Sequence, residues 1–211
     1  MDAAVAKFEL CSFYPEKFFE IKDCCINESS VIVKLKSKTK NCECPKCHQI
    51  STVYHGTYTR SVQDLPILGK NTSVIITARE YECQNEKCST KTIVEQFDHF
   101  LGYYGRFTER CEDFITMLAL ETSCEGAARV CNHTGIQVSG DTIIRILKKR
   151  FSQMKTEETS DCIGIASPLN NGFVEGINNR TKMIKRVMYG RCGIELLAAK
   201  IMLPYAIKTD I

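Results

Sequence analysis

A mixed α+β chain is predicted, in which a small β-rich module pinned by cysteines precedes a run of amphipathic helices. Three observations point to it. Four cysteines fall into two short pairs, Cys44-Pro-Lys-Cys47 and Cys83-Gln-Asn-Glu-Lys-Cys88. Around and between those pairs the apolar residues alternate or run in β-branched stretches. From Phe107 onward they recur instead at three- and four-residue intervals, the period of a helix with one buried face.

A gap of two or four residues lets a tight turn aim both sulfurs of a pair at one point. Zn²⁺ takes four such thiolates in a tetrahedron. Cys44, Cys47, Cys83 and Cys88 are therefore the expected ligands of a structural zinc, with Pro45 stiffening the first knuckle. The pairs stand 35 residues apart, against about fifteen to twenty in the commonest arrangement. Cys42 and His48 flank the first knuckle as competing ligands, Cys42 being read as a neighbour of the site. Buried free thiols or a disulfide are the alternatives.

The 211 residues suffice to bury a core in one or two domains. The 13 cysteines would suggest a secreted disulfide framework in a shorter chain. Here their odd number, their helix-core spacing and the lack of an apolar run near the N-terminus fit a reducing compartment. No stretch approaches the roughly eighteen apolar residues of a membrane span. A cytoplasmic protein without a membrane partner is expected. A net charge of +3 is too small to establish a nucleic-acid partner by itself. Its distribution says more, because Lys148-Lys149-Arg150 follow one expected helix and Arg180, Lys182, Lys185, Arg186 and Arg191 crowd another.

Taken in order, residues 1–40 hold one strand, Val31-Ile32-Val33-Lys34-Leu35-Lys36, leading to the first knuckle. Residues 41–100 form the zinc-binding module, with strands at Thr52–His55 and Ser73–Thr77 and turns at Leu65-Pro66 and Leu68–Asn71. His55, Arg60 and Asp64 are placed on its connecting segments, as surface polar residues or as binding groups.

Residues 104–151 read as three helices. The first carries Phe107, Cys111, Phe114, Ile115 and Leu118 after a Thr108 N-cap. The second starts near Ser123, buries Ala127, Ala128 and Cys131, and ends at Gly135, a residue suited to a left-handed C-cap. The third opens at Ser139 and buries Ile143, Ile144, Ile146, Leu147 and Phe151. A short middle helix, a glycine turn and a basic third helix are the pattern of a helix-turn-helix. Its third helix would enter the major groove of double-stranded DNA, with Ser139, Asp141, Thr142 and Arg145 toward bases and Lys148 and Lys149 toward phosphate. An ordinary three-helix bundle without a ligand is the alternative.

Beyond it, Cys162–Ile165 reads as a short strand and Ala166–Gly172 as a turn. A helix from about Phe173 puts Val174, Ile177, Thr181, Ile184 and Met188 on one face, and Glu175, Asn178, Asn179, Lys182 and Arg186 on the other. A break at Tyr189-Gly190-Arg191 precedes an apolar helix from Ile194 to Leu203. The apolar residues of this tail, among them Ile184, Leu196 and Ile201, have no obvious packing partner.

Three blocks of this order resemble the ISL-three family of insertion-sequence transposases. The first comprises the cysteine pairs with His55, Tyr58, Arg60, Asp64-Leu65-Pro66, Gly69 and Phe97. The second runs from Arg106-Phe107-Thr108 through Ala127-Ala128 to Val138-Ser139, Thr142 and Arg145. The third is Asn170-Asn171-Gly172-Phe173-Val174-Glu175-Gly176-Ile177-Asn178-Asn179 with Lys182, Lys185-Arg186 and Tyr189-Gly190.

The resemblance implies an RNase H-like core binding Mg²⁺ through an Asp-Asp-Glu triad that cuts and joins DNA, with Glu175 matching the last carboxylate. It also implies Lys182 and Arg186 as phosphate contacts and the element's terminal inverted repeats as the DNA. The chain departs from the pattern where Ile163-Gly164-Ile165 is followed by Ala166 in place of the first Asp, and the segment carrying the second is missing. Asp161 is a poor substitute.

Residues 160–211 are thus expected to be a helical remnant of the catalytic core in an internally deleted transposase, which binds DNA without strand transfer. Mg²⁺ would belong to the full-length family alone. A second copy or a full-length transposase would be a further partner, and a zinc-ribbon/helix-turn-helix transcriptional regulator is the alternative reading.

Overall fold

The computed structural model describes residues 13–102, 105–157, 171–188 and 193–207; side chains of 154–157, 171–178 and 205–207 lie outside it. Two compact units are present. One contains the chain up to Glu112 with Thr134–Ile136, the other Asp113–His133 and the chain from Gln137 onward.

The first unit comprises β1 (Phe19–Ile26), β2 (Ser30–Ser37), β3 (Cys42–Glu43), β4 (Ile50–Ser51), β5 (Tyr54–Ile67), β6 (Lys70–Glu82) and β7 (Thr92–Val94). Five of these make one sheet in the order β1-β2-β6-β5, with β7 also on β6, while β3 and β4 pair separately. β2 runs parallel to β6, and the other pairs are antiparallel. Strands from the 1–40 segment and from the 41–100 module therefore share one sheet. Central β6 is paired with β2 as far as Thr77 and with β7 over Glu80–Glu82.

Alternation aims Val31, Val33 and Leu35 of β2, Val62 of β5 and Val74, Ile76 and Ala78 of β6 into one core, with Phe19, Phe97, Phe100 and Leu101. Phe19 is the hinge of the aromatic layer, its ring centroid 4.6 Å from Phe97 and 5.0 Å from Phe100. Each such side chain contributes roughly 1.5–3 kcal/mol on leaving water.

The expected strands are present but longer. β5 and β6 meet at Ile67 opposite Lys70, leaving Leu68 and Gly69 as a two-residue loop with φ of 52° and 74°. That geometry suits glycine and strains leucine, and Leu68 is 94% exposed. The break expected at Leu65-Pro66 does not occur. Pro66 stays within β5 where the register shifts between Asp64 and Ile67, a place at which a missing N–H removes no ladder bond. β1 was not anticipated, although Phe19-Glu-Ile-Lys alternates as a strand should.

The helices are α1 (Glu109–Glu121), which begins in the first unit, α2 (Cys124–Thr134), α3 (Gly140–Glu157), α4 (Asn171–Val187) and α5 (Ile194–Ile207). Ser123 caps α2, its Oγ accepting the Gly126 N–H at 2.9 Å. Gly135 follows α2 at φ 99°, as expected of a left-handed cap. In the second unit Ile115, Ala119, Ala127, Cys131, Ile143 and Leu147 are buried, together with Leu196, Ala199 and Leu203 of α5.

α5 packs on α3 and also meets α4, so the apolar tail has a partner within its own unit. α5 continues through Pro204 to Ile207 instead of stopping at Leu203, because a proline in the last turn forfeits only one helical hydrogen bond. Its Lys200 is 2% exposed and donates to the Thr122 carbonyl just past the end of α1, where the helix dipole favours a cation.

The strand expected at Cys162–Ile165, Asp161 and the break at Tyr189–Arg191 lie outside the described residues. No helix among the described residues is long and apolar enough to cross a membrane.

Candidate metal centre and nucleic-acid interface

Each cysteine pair sits on a loop that hydrogen bonds shape before any ion is considered. Cys44 and Cys47 lie between β3 and β4. The Cys44 N–H donates to the Gln49 carbonyl (3.0 Å), and its carbonyl accepts from the His48 N–H (2.9 Å), with His48 turning the chain at φ 56°. Cys83 and Cys88 lie between β6 and β7, where the Cys83 N–H donates to the Lys91 carbonyl and the Cys88 N–H to the Asn85 carbonyl, both at 2.9 Å. Lys46 Nζ donates to Ser89 Oγ at 2.9 Å and ties the two loops together.

This brings together four sulfurs that lie within 4.8 Å of one another. Cys44 Sγ stands 3.9 Å from Cys88 Sγ, and Cys47 Sγ 3.6 Å from Cys83 Sγ. A ZnS₄ tetrahedron with Zn–S bonds of about 2.3 Å has edges of roughly 3.8 Å, which these two separations match. Cys44 and Cys88 are buried over Tyr81 and Ile93. Backbone N–H groups of Cys47 and Lys46 pull the Cys44 thiol down to about 6. The Asn85 N–H lowers Cys83 too, but burial and the neighbouring sulfurs push it up to about 12. Zinc therefore has protons to displace as it binds.

The two competing ligands fall outside the cluster. His48 is exposed and pairs through Nδ1 with Glu43 at 2.7 Å. The Cys42 thiol contacts the Val94 carbonyl at 3.7 Å. Burial and the Glu95 charge push it up to about 11, and it stays protonated.

His55, Arg60 and Asp64 are part of β5, not of connecting segments. His55 pairs with Glu82 at 2.9 Å on the surface, and Arg60 donates to the Gly105 carbonyl. Asp64 is fully buried. Its carboxylate takes two bonds from Arg110 (Nε to Oδ1 at 2.8 Å, and Nη2 to Oδ2), one from the Thr108 hydroxyl (2.6 Å), one from the Leu65 N–H (2.8 Å) and one from the Tyr14 hydroxyl (3.2 Å). Burial would raise its pKa, but Arg110 and Thr108 hold it below the usual carboxylate range. Sequence reasoning missed this hub because Arg110 is 46 residues away and no local pattern marks the pair.

In the second unit Gly140 opens α3 so close to Glu125 of α2 that a Cβ would collide with its carboxylate. Asp141, Arg145, Lys148 and Lys149 are exposed on α3, and Thr142 is half-buried. Ser139 is engaged in capping, its Oγ accepting the Thr142 N–H at 3.3 Å. Lys148 pairs with Glu195 at 3.0 Å, and Arg150 with Asp113 at 2.6 Å. Lys182 and Arg186 are exposed on α4. Glu175 belongs to that helix, but its side chain lies outside the described residues.

Residues 40–88 match the zinc finger of transposases IS204/IS1001/IS1096/IS1165. The matched segment contains all four clustered cysteines. The cluster could thus hold a zinc ion within a zinc ribbon of the type found in those transposases, and the pairing of β3 with β4 and of β6 with β7 is the scaffold that presents it. No curated protein and no solved structure matches the chain.

Proposed function

We propose that this chain is a DNA-binding product of an insertion-sequence transposase, internally shortened so that strand transfer is lost. Its zinc ribbon and helix-turn-helix would bind the element's terminal inverted repeats. The observation that carries the reading is the zinc ribbon at residues 40–88, whose type is that of transposases.

The segment 104–151 is assigned as the helix-turn-helix. Support comes from the glycine-bounded turn between α2 and α3 and from the exposed Asp141, Arg145 and Lys149 on α3. Arg145 and Lys149 reach solvent with long cationic side chains, as a helix entering the major groove requires. Lys148 would have to leave Glu195 to reach phosphate. Lys182 and Arg186 on α4 are assigned as further phosphate contacts. Residues 160–211 are assigned as the catalytic remnant, with Glu175 as the one carboxylate of the triad that is left. A two-metal site needs several carboxylates held rigidly around both ions, so no Mg²⁺-dependent cleavage is expected.

Two measurements test this. A gel-shift titration with duplex DNA carrying the element ends should show binding that weakens steeply with salt. Arg145→Ala should weaken it about tenfold with zinc content unchanged. Equal binding by the variant would remove α3 as the reader. A nicking assay with Mg²⁺ or Mn²⁺ should show no cleavage, and cleavage abolished by Glu175→Gln would refute the loss of catalysis.

A further inference from the structure

Within the first unit, β5, the chain after β7 and the turn at Gly105-Arg106 enclose a groove of about 480 Å³. Its walls are fixed by backbone hydrogen bonds. The Gln63 N–H donates to the Arg106 carbonyl at 2.9 Å, the Thr108 N–H to the Gln63 carbonyl at 2.9 Å, and the Gly105 N–H to the Gly102 carbonyl at 2.8 Å. Arg106 is therefore presented from a segment stitched to the sheet, and its own side chain is exposed. Opposite it Arg60 is half-buried, with its guanidinium tethered to the Gly105 carbonyl.

Tyr58, half-buried against the sheet core, lines the same groove, as does Ser61. The groove also has one carboxylate, Glu95. That group is turned to other work, accepting the Arg79 N–H at 2.7 Å and the Thr39 hydroxyl. The lining thus offers two guanidiniums against one engaged carboxylate.

We propose that this groove binds the sugar-phosphate backbone of DNA, as a second contact surface separate from α3. Arg60 and Arg106 meet the phosphodiester, and the Tyr58 ring packs on the adjoining sugar or base. A planar guanidinium with several donors is suited to phosphate, and an aromatic neighbour accommodates nucleotides without regard to sequence. The inference rests on the reading of the chain as a DNA-binding protein and adds to it a sequence-independent contact outside the helix-turn-helix.

The test is fluorescence anisotropy of the zinc-loaded full chain on a mixed-sequence duplex across a salt series, for wild type, Arg106→Ala, Arg106→Lys and Arg145→Ala. Removing one phosphate contact should reduce the slope of log K against log salt by about one and weaken binding severalfold, whatever the sequence. Arg106→Lys should keep the slope. Inorganic phosphate or a free nucleotide, added at concentrations too low to alter the ionic strength, should not compete. Competition at those levels would make the groove a small-anion site and overturn the proposal.

Wild-type affinity and slope in Arg106→Ala, beside a weakened Arg145→Ala, would overturn the groove and leave the helix-turn-helix reading standing. Absence of duplex binding by the wild type would overturn both. One zinc per chain together with an unchanged far-UV spectrum in each variant confirms that both units keep their fold.

Discussion

In the sheet unit the chemically demanding groups lie inside, whereas in the helical unit most of the charge lies outside. Asp64 is fully buried under Arg110, Thr108 and Tyr14, and Cys44 and Cys88 are buried beside Tyr81. On α3, by contrast, Asp141, Arg145 and Lys149 face solvent, and Lys200 is the only lysine or arginine buried among the described residues. The sheet unit is closed by contacts between distant residues. The helical unit is specified largely by short-range signals, caps and a 3.6-residue period. The two should therefore fail under different insults.

Zinc removal carries the largest expected effect. Structural zinc supplies on the order of 10 kcal/mol of apparent folding free energy in zinc-finger peptides. A strong chelator should accordingly abolish near-UV signals from Tyr81 and its neighbours while much of the helical far-UV signal survives. Simultaneous loss of both would mean that the units do not differ in what holds them. Acid should act in the same direction, since each ligand must be deprotonated to bind zinc.

Asp64→Ala comes next. Breaking a buried ion pair costs about 3–5 kcal/mol, and the lower end applies because Arg110 keeps 36% of its side chain exposed. Denaturant unfolding should show a loss of about 3 kcal/mol; a change within about 0.5 kcal/mol, the range of ordinary surface substitutions, would demote the hub. The folded carboxyl titrates below its ordinary value of about 3.9. Its stabilisation is therefore complete above that pH and is lost as pH falls through the folded value. The variant should lack this part of the acid dependence.

The smallest effect is a gain. Leu68→Asn places at φ 52° a residue that tolerates the left-handed region, and should stabilise the hairpin by about 0.5 kcal/mol. A loss of stability would mean that the exposed leucine makes a contact worth more than its backbone strain.

What could be read in the sequence follows the same division. The starts of α1, α2 and α3 were legible at Thr108, Ser123 and Ser139 because a cap and an apolar stripe are local facts. The cysteine tetrad was legible because two short loops and a metal's geometry constrain it. Strand lengths were not, since β5 and β6 extend each other by pairing and Pro66 hides in a register shift. Arg110 was unreadable as the partner of Asp64, and Lys200, set in an apolar helix, gave no hint that it reaches the end of α1.

X-ray absorption at the zinc edge on the purified full chain tests most directly whether the transposase-type ribbon is closed by Cys44, Cys47, Cys83 and Cys88. One zinc per chain with four sulfurs at about 2.3 Å is expected, falling to three sulfurs or to lost metal in Cys83→Ser. A nitrogen or oxygen in the wild-type shell, or a metal-free protein that keeps its fold, would contradict it.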